Sequence, residues 1–192
     1  RDLVDAQGFE VIYGDTDSVF VLLGPGHSHE AARNIGKDLE TSLNQWWRSH
    51  LRETLDLESY LEIQFETHFL KFLMPTIRGS QEGSKKRYAG LVRRQDNDFD
   101  VVFKGLESVR SDWTPLAREF QRTLYRKVFL GEPYEDYIRQ VVADLFAGRL
   151  DGLLVYRKQL RKPVGEYQKN IPPQVQAARK LDKPGRWISY VI

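Results

Sequence analysis

The stretch EVIYGDTDSVFVLLG, residues 10–24, constrains the fold most strongly, because two apolar runs flank a short polar turn. Both runs are rich in Val, Ile, Phe and Tyr, which predicts the two arms of an antiparallel hairpin, with Gly14 loosening the turn. Asp15 and Asp17 lie on either side of Thr16. In an extended chain these two carboxylates would project to the same side, about 6–7 Å apart. The repulsion between them has to be offset.

Two explanations for the paired aspartates remain open when this stretch is taken alone. Asp, Gly, Thr and Ser are ordinary turn residues, so solvent can offset the repulsion. A divalent cation held by the carboxylate oxygens would do the same, and Mg²⁺ acting on substrate phosphates suits such hard ligands.

Composition narrows the class of protein. The chain has 192 residues, of which 41% are hydrophobic, enough for a real core. It has no cysteine, which excludes disulfides and thiolate zinc sites. No signal peptide or membrane span is recognisable, so an intracellular protein is expected. The chain starts at Arg1 without methionine and soon enters a strand, which predicts a fragment of a longer protein.

The net charge of +2 conceals a segregation of charge along the chain. Residues 149–192 hold ten Lys and Arg against three Asp and Glu, whereas residues 1–148 hold 19 against 24. Within that acidic part, RGSQEGSKKRYAGLVRR at 78–94 has six bases and one acid. Such a run is typical of a solvated face, but it also suits contact with a phosphate backbone.

The remaining pattern predicts an α+β fold, an antiparallel sheet with a covering helix followed by a mainly helical unit. Steps of three and four predict one amphipathic helix at 28–56, capped by Ser28. Alternation predicts a strand within 59–75, with Leu61, Ile63 and Phe65 on its buried face. Further predicted elements are a hairpin at 86–105, two helices ending at Gly131 and Gly148, a short helix at 173–181 and a final strand. The four histidines, which lack the spacing of a helical metal pair, are interpreted as structural or surface residues: His27, His29, His50 and His68.

Several motifs resemble those of one known family. YGDTDS at 13–18 is similar to the motif C hairpin of family B DNA polymerases. KKRYAG at 85–90, KGLESVRSDW at 104–113, and PPQVQAARK with PGRWISYVI within 172–192 follow in the order of that family. The resemblance covers the whole chain. It implies the C-terminal part of the polymerase palm at residues 1–106 and part of the thumb at 107–192.

The resemblance implies nucleotidyl transfer, in which a primer 3′-hydroxyl attacks the α-phosphate of a dNTP. Two Mg²⁺ ions about 4 Å apart, with Mn²⁺ as a substitute, would stabilise the attacking and leaving oxygens. By the family pattern Asp17 is the principal metal ligand and Asp15 a secondary one. Glu66, expected at the end of its strand, is a further candidate carboxylate, although an exposed glutamate on a polar strand face is the ordinary alternative.

The same resemblance implies contacts with DNA. Lys86 and Tyr88 match a Lys-x-Tyr pattern that touches the primer-template near its growing end. The other residues assigned to DNA binding are Thr16, Lys85, Arg87, Lys104 and Arg110. The implied partners are primer-template DNA, dNTP and the rest of the polymerase chain, which comprises the exonuclease, the remaining palm and the fingers. A sliding clamp is a candidate partner, no membrane is involved, and the bacterial nucleoid is the expected location.

Two other classes of function remain open. A nucleotide cyclase also places two carboxylates and two metals on a hairpin, but it does not need a basic, helical C-terminal region. A non-catalytic nucleic-acid-binding module would carry the aspartates as relics. The chain lacks the earlier metal-binding aspartate and the fingers helix of the family, so this piece alone is not expected to polymerise.

Overall fold

The computed structural model describes residues 1–15, 17–76, 86–94, 98–169 and 171–192. The helices are α1 (Asp2–Asp5), α2 (His29–Leu55), α3 (Pro115–Leu130), α4 (Glu135–Phe146) and α5 (Pro173–Ala178). The strands are β1 (Glu10–Asp15), β2 (Ser18–Leu22), β3 (Lys71–Leu73), β4 (Tyr88–Arg93), β5 (Phe99–Lys104), β6 (Tyr156–Gln159) and β7 (Trp187–Tyr190). Mixed helices and small antiparallel sheets confirm the predicted α+β class.

The chain divides into two compact units, Arg1–Leu70 and Lys71–Ile192. The sequence predicted a different kind of division, into palm and thumb subdomains with a boundary between residues 106 and 107. That division stays a prediction. Within the described ranges, no helix is both long enough and apolar enough to cross a lipid bilayer.

The first unit contains the hairpin of β1 and β2 and the long helix α2. Ser28 caps α2, accepting a hydrogen bond from the Ala31 amide at 3.1 Å, and the helix ends where Asp56 adopts a left-handed conformation. The predicted helix at 28–56 and its cap are therefore confirmed. Ala32 and Leu39 of α2 are buried, as is Val4 of the short helix α1, which the sequence did not predict.

The second unit contains the three-stranded antiparallel sheet β3-β4-β5, with β4 in the centre. The predicted hairpin at 86–105 is confirmed by pairing of β4 with β5 from Tyr88↔Lys104 to Arg93↔Phe99, and the segment 95–97 of its turn lies outside the described residues. One face of the sheet packs on α3. The buried cluster there consists of Ala89, Leu91, Leu106 and Phe129.

The rest of the second unit is helical only in part. Thr114 caps α3, which ends at the left-handed Gly131, and Gly148 is left-handed just beyond α4, as the glycine pattern predicted. The sequence did not predict β6, which pairs with the terminal strand β7. This ribbon and α5 enclose a second buried cluster of Leu160, Val175, Ala178, Ile188 and Tyr190.

Candidate functional site

The tip of the first hairpin carries the paired aspartates. Asp15 pairs with Ser18 across the ribbon, so only two positions of the chain separate the paired residues. Asp15 ends β1 and is half-buried, whereas Asp17 lies in the turn and is exposed. The sequence-based spacing assumed that both residues lie in one extended stretch, and this assumption is wrong because Asp17 belongs to the turn. Gly14 lies inside β1 opposite Val19 rather than in the turn.

The carboxylate of Asp17 is accessible to an incoming cation. The Ser18 hydroxyl donates a hydrogen bond to Asp17 Oδ1 at 3.3 Å, and no lysine or arginine among the described residues forms an ion pair with Asp17. Mg²⁺ usually keeps several waters and is bound through one or two carboxylates together with substrate phosphates, so this donor set fits the ion. Thr16, assigned to DNA binding from the sequence, lies outside the described residues.

Glu66 lies elsewhere in the first unit, and the prediction that it ends a strand is wrong. Of the predicted strand at 59–75 only β3, Lys71–Leu73, forms, and Glu66 is an exposed residue in the non-repetitive segment before it. Throughout the described part of the chain, no three His, Asp or Glu residues come together as a group that could hold a metal ion. Asp15, Asp17 and Glu66 therefore do not form such a group.

Side chains of α2, instead of a neighbouring strand, hold the segment around Ile63. Asn44 forms two hydrogen bonds with Ile63, from Asn44 Nδ2 to the Ile63 carbonyl at 2.7 Å and from the Ile63 amide to Asn44 Oδ1 at 2.8 Å. The Phe65 amide donates to Glu40 Oε2 at 2.5 Å. Gly36 leaves room for the Phe65 ring, which a Cβ at that position would overlap.

The electrostatics of this segment agree with its geometry. Hydrogen bonds from Lys37 and from the Phe65 amide lower the pKa of Glu40 below its usual value. At the far end of the segment, His29 Nδ1 and His68 Nδ1 lie 3.0 Å apart. Histidines that the sequence shows only singly are thus paired by the fold. Burial, followed by the proximity of His29 and His27, lowers the pKa of His68.

In the second unit, the described part of the basic motif begins at Lys86, and Lys85 lies outside the described residues. Lys86 is exposed and has a left-handed backbone with φ of +63°. Tyr88 opens β4 directly opposite Lys104 of β5, and directly opposed residues of an antiparallel pair project to the same face. Tyr88 and Lys104 therefore share one face of the sheet.

Gly105 follows β5 and is left-handed, with φ of +63°. A Cβ at Gly105 would overlap the backbone carbonyl oxygen of Lys86. Because glycine lacks that atom, the chain after β5 can lie against the main chain just before β4. This close approach explains why glycine follows Lys104.

Arg87 is tied into the protein by a network that the sequence did not predict. Its guanidinium Nη2 forms an ion pair with Glu107 Oε1, while Gln121 Nε2 of α3 donates to Glu107 Oε2 at 2.8 Å. Gln121 Oε1 accepts a hydrogen bond from the Ser108 amide at 2.7 Å. Burial raises the pKa of Glu107, but the hydrogen bond from Gln121 and the charge of Arg87 outweigh it, so that pKa is lowered. The only sequence signal for Glu107 was its place in KGLES.

Arg110, the other arginine assigned to DNA, forms a two-pronged ion pair. Arg110 Nε and Nη2 donate to the two carboxylate oxygens of Asp112 at 2.9 and 2.7 Å. This hydrogen bonding lowers the pKa of Asp112 and raises that of Arg110. Both side chains are substantially exposed. The positive charge of Arg110 is therefore partly neutralised by Asp112.

The basic C-terminal region combines cations with aromatic rings. The Arg157 guanidinium lies 5.1 Å from the ring centroid of Trp187, and Lys162 Nζ lies 4.8 Å from that of Tyr167. Both cations and Trp187 are exposed and Tyr167 is half-buried, with one pair on the β6–β7 ribbon and the other in the segment that follows β6.

Comparison with known proteins identifies the class to which this hairpin and sheet belong. The family model for DNA polymerase family B matches residues 2–189. The chain therefore belongs to the family B DNA polymerases, which confirms the resemblance seen in its motifs.

Individual relatives agree with this assignment. DNA polymerase II of Escherichia coli (strain K12) is 54% identical over 99% of this chain. DNA polymerase 2 of Aeropyrum pernix and the DNA polymerase alpha catalytic subunit of Leishmania donovani are each 30% identical, over 96% and 95% of the chain. The chain spans 24%, 20% and 14% of the lengths of these three relatives.

Proposed function

We propose that the protein containing this chain is a DNA-directed DNA polymerase that adds dNTPs to the 3′ end of a primer. Membership of family B and the similarity to DNA polymerase II of Escherichia coli support this activity. The chain spans less than a quarter of that relative, so it supplies only part of the active site. The fingers, the exonuclease and the remaining palm belong to the rest of the polymerase, and the chain alone is not expected to polymerise.

The exposed Asp17 carboxylate at the hairpin tip is the observation that carries the proposal. Asp17 would be the principal Mg²⁺ or Mn²⁺ ligand and Asp15 the secondary one. Bound ions of this kind neutralise charge on the attacking and leaving oxygens of the phosphoryl group. The short turn holds Asp17 at the end of a paired ribbon, so little side-chain reorganisation is needed to bind a cation. Glu66 stays a candidate for an accessory role.

Duplex DNA would contact one face of the β4–β5 sheet. Tyr88 and Lys104 share that face, and Lys86 is exposed beside it. Lysine acts as a point charge toward phosphate, and tyrosine offers a flat ring and a hydroxyl. The basic C-terminal region would add contacts to the phosphate backbone that do not depend on base sequence. In this proposal residues 1–106 are palm and residues 107–192 are thumb, and the enzyme acts in the nucleoid, with a sliding clamp as a candidate partner.

Substitution of the two aspartates in the full-length enzyme tests the proposal. Asp17→Asn is expected to reduce primer extension by at least about 1000-fold, because it removes the charge of the principal ligand, whereas Asp15→Asn should retain measurable activity. Asp38→Asn, which changes an exposed aspartate on α2, is the control for loss of a carboxylate. Near-normal extension by the Asp17 variant would contradict the assignment.

Titration of the wild type and the Asp17→Asn variant with Mg²⁺ or Mn²⁺ separates the alternative classes. A non-catalytic DNA-binding module would show no metal response that depends on Asp17. A nucleotide cyclase finds no support in the comparisons, because the family match extends through the basic C-terminal region that such an enzyme does not need.

A further inference from the structure

Arg87 lies on the opposite side of the chain from Tyr88 and Lys104, two of the residues proposed to face DNA. The next residue that shares its side along β4 is Ala89, which is fully buried, whereas Tyr88 faces the same way as Lys104. The Arg87 side chain is half-buried, and its Nε is buried without a hydrogen-bond partner among the described residues. This orientation takes the guanidinium toward α3.

Glu107 receives Arg87 and is itself fixed by the protein. Its second carboxylate oxygen accepts from Gln121, and the amide of Gln121 is held in turn by the backbone of the fully buried Ser108. The network joins the start of β4, the 3₁₀ turn Glu107–Val109 and helix α3. An arginine fixed in this way could reach a phosphate only by leaving the partly buried Glu107 without a cation beside it, which is unfavourable.

A second contact fixes the same stretch of main chain. Gly105 lies against the carbonyl of Lys86, the residue just before Arg87. The ion pair of Arg87 and the backbone contact of Lys86 thus both connect the segment that carries the proposed DNA contacts to the chain that follows β5.

We propose that Glu107 is a positioning residue, and that Arg87 is its anchor point and does not bind phosphate. The Arg87–Glu107 pair, held by Gln121, places Lys86 and Tyr88 so that they can contact the primer-template. This inference rests on the proposed function, because it assumes that Lys86 and Tyr88 contact DNA.

Glu107→Gln in the full-length polymerase gives opposite results under the two roles of Arg87. Glutamine keeps the size of the side chain but removes its charge. If Arg87 binds phosphate, losing a competing carboxylate tightens DNA binding or leaves it unchanged. If the Arg87–Glu107 pair positions Lys86 and Tyr88, the affinity for DNA falls by about fivefold, which is within the usual coupling energy between residues in contact. Glu119→Gln, an exposed site on α3, controls for the loss of one negative charge.

A double-mutant cycle with Arg87→Met completes the test. Equilibrium binding to a primer-template duplex is measured over a series of salt concentrations for both single variants and the double variant. The anchor role predicts that the double variant binds no more weakly than Arg87→Met alone. A phosphate contact predicts instead that Arg87→Met lowers the slope of log K against log salt by about one unit, whether or not Glu107 is changed.

The outcomes are distinguishable. Weaker binding by Glu107→Gln, relative to Glu119→Gln, together with a non-additive cycle, supports the positioning role, provided that thermal unfolding of the variants matches the wild type. Tighter or unchanged binding, additive effects, or variants that lose DNA affinity only because they unfold would overturn it while leaving the polymerase assignment intact. A wild-type enzyme without salt-sensitive DNA binding would overturn both.

Discussion

Two extended segments of the molecule have similar sequence patterns but are held in different ways. Residues 61–66 and strand β4 both place apolar residues along an extended chain. Strand β4 lies between β3 and β5 and pairs with both. Residues 61–66 form no strand, and the backbone of Ile63 and Phe65 is bonded to Asn44 and Glu40 of α2. Alternation placed Leu61, Ile63 and Phe65 on a buried face, and this is wrong for Leu61, which is 54% exposed, whereas Ile63 and Phe65 are half-buried. Nor does alternation predict which groups satisfy the backbone.

The difference has an energetic consequence. Strand β4 is held by many main-chain hydrogen bonds to its two neighbouring strands. These bonds depend little on the identity of the side chains. The support of residues 61–66 is concentrated in a few side chains of one helix. Strand β4 should therefore be sensitive chiefly to changes that disturb its backbone, whereas residues 61–66 should be sensitive to single polar substitutions.

The largest effect is expected for Gly105→Ala, which attacks the backbone next to β4. The new Cβ would overlap the Lys86 carbonyl in a left-handed conformation that alanine disfavours. The free energy of opening of the β4 amides should fall by at least about 3 kcal/mol, measured by hydrogen exchange with mass spectrometry.

Gly131→Ala is the matched control for this substitution. Gly131 has φ of +72°, but apart from its chain neighbours no atom of the described residues lies within 4 Å of the position where a Cβ would be. It should lose only about 1 kcal/mol, the penalty of the left-handed conformation. Equal losses for the two variants would mean that the close approach of Gly105 to Lys86 has no energetic role.

A smaller effect is expected for Asn44→Ala, which removes both hydrogen bonds to Ile63. The loss leaves one amide and one carbonyl to find solvent, so residues 62–66 should lose about 2 kcal/mol of protection against hydrogen exchange. Asn34→Ala, an exposed position on the same helix, should leave that protection unchanged. If the Asn44 variant matched the Asn34 variant, packing and the hydrogen bond from Phe65 to Glu40 would have to suffice to hold the segment.

The smallest effect is expected from pH at the end of this segment. The pKa of His68 is lowered by burial and by His29 and His27, so the unfolded chain binds a proton more readily than the native one. The contribution of His68 to the free energy of unfolding is therefore fully present above its unfolded pKa of about 6.5. This contribution decreases as the pH falls toward the lowered pKa of the native state. Protection of residues 66–69, corrected for intrinsic exchange rates, should be lower at pH 5 than at pH 7.5.

His68→Leu should remove this dependence on pH, because no second titrating imidazole then faces His29. If lowering the pH reduced the protection equally in the wild type and the His68→Leu variant, the pH dependence would come from other titrating groups.

Much of the local structure could be predicted from the sequence because short-range patterns determine it. The strands on either side of the aspartates, the Ser28 cap of α2 and the glycine that ends α3 are determined within a few residues, and all three are present. The motif order also identified the family correctly.

The errors concern interactions between residues distant in sequence. Nothing near Ile63 indicates that a helical asparagine 19 residues earlier will replace a neighbouring strand. Pairing of His29 with His68, and of Arg87 with Glu107, likewise depends on tertiary structure. Near the hairpin tip, the short turn depends on the register of the ribbon, which composition does not specify.

The register of that ribbon contains one irregularity, because Val11 pairs with Val21 and Tyr13 with Phe20, so that Ile12 is an extra residue in β1. Such a bulge bends and twists its strand, and it shifts by one residue the side to which every later side chain points. The Ile12 side chain is 44% exposed and contributes little packing. The direction in which the aspartate-bearing hairpin points therefore depends on the number of residues in β1, and position 12 should tolerate substitution far better than deletion.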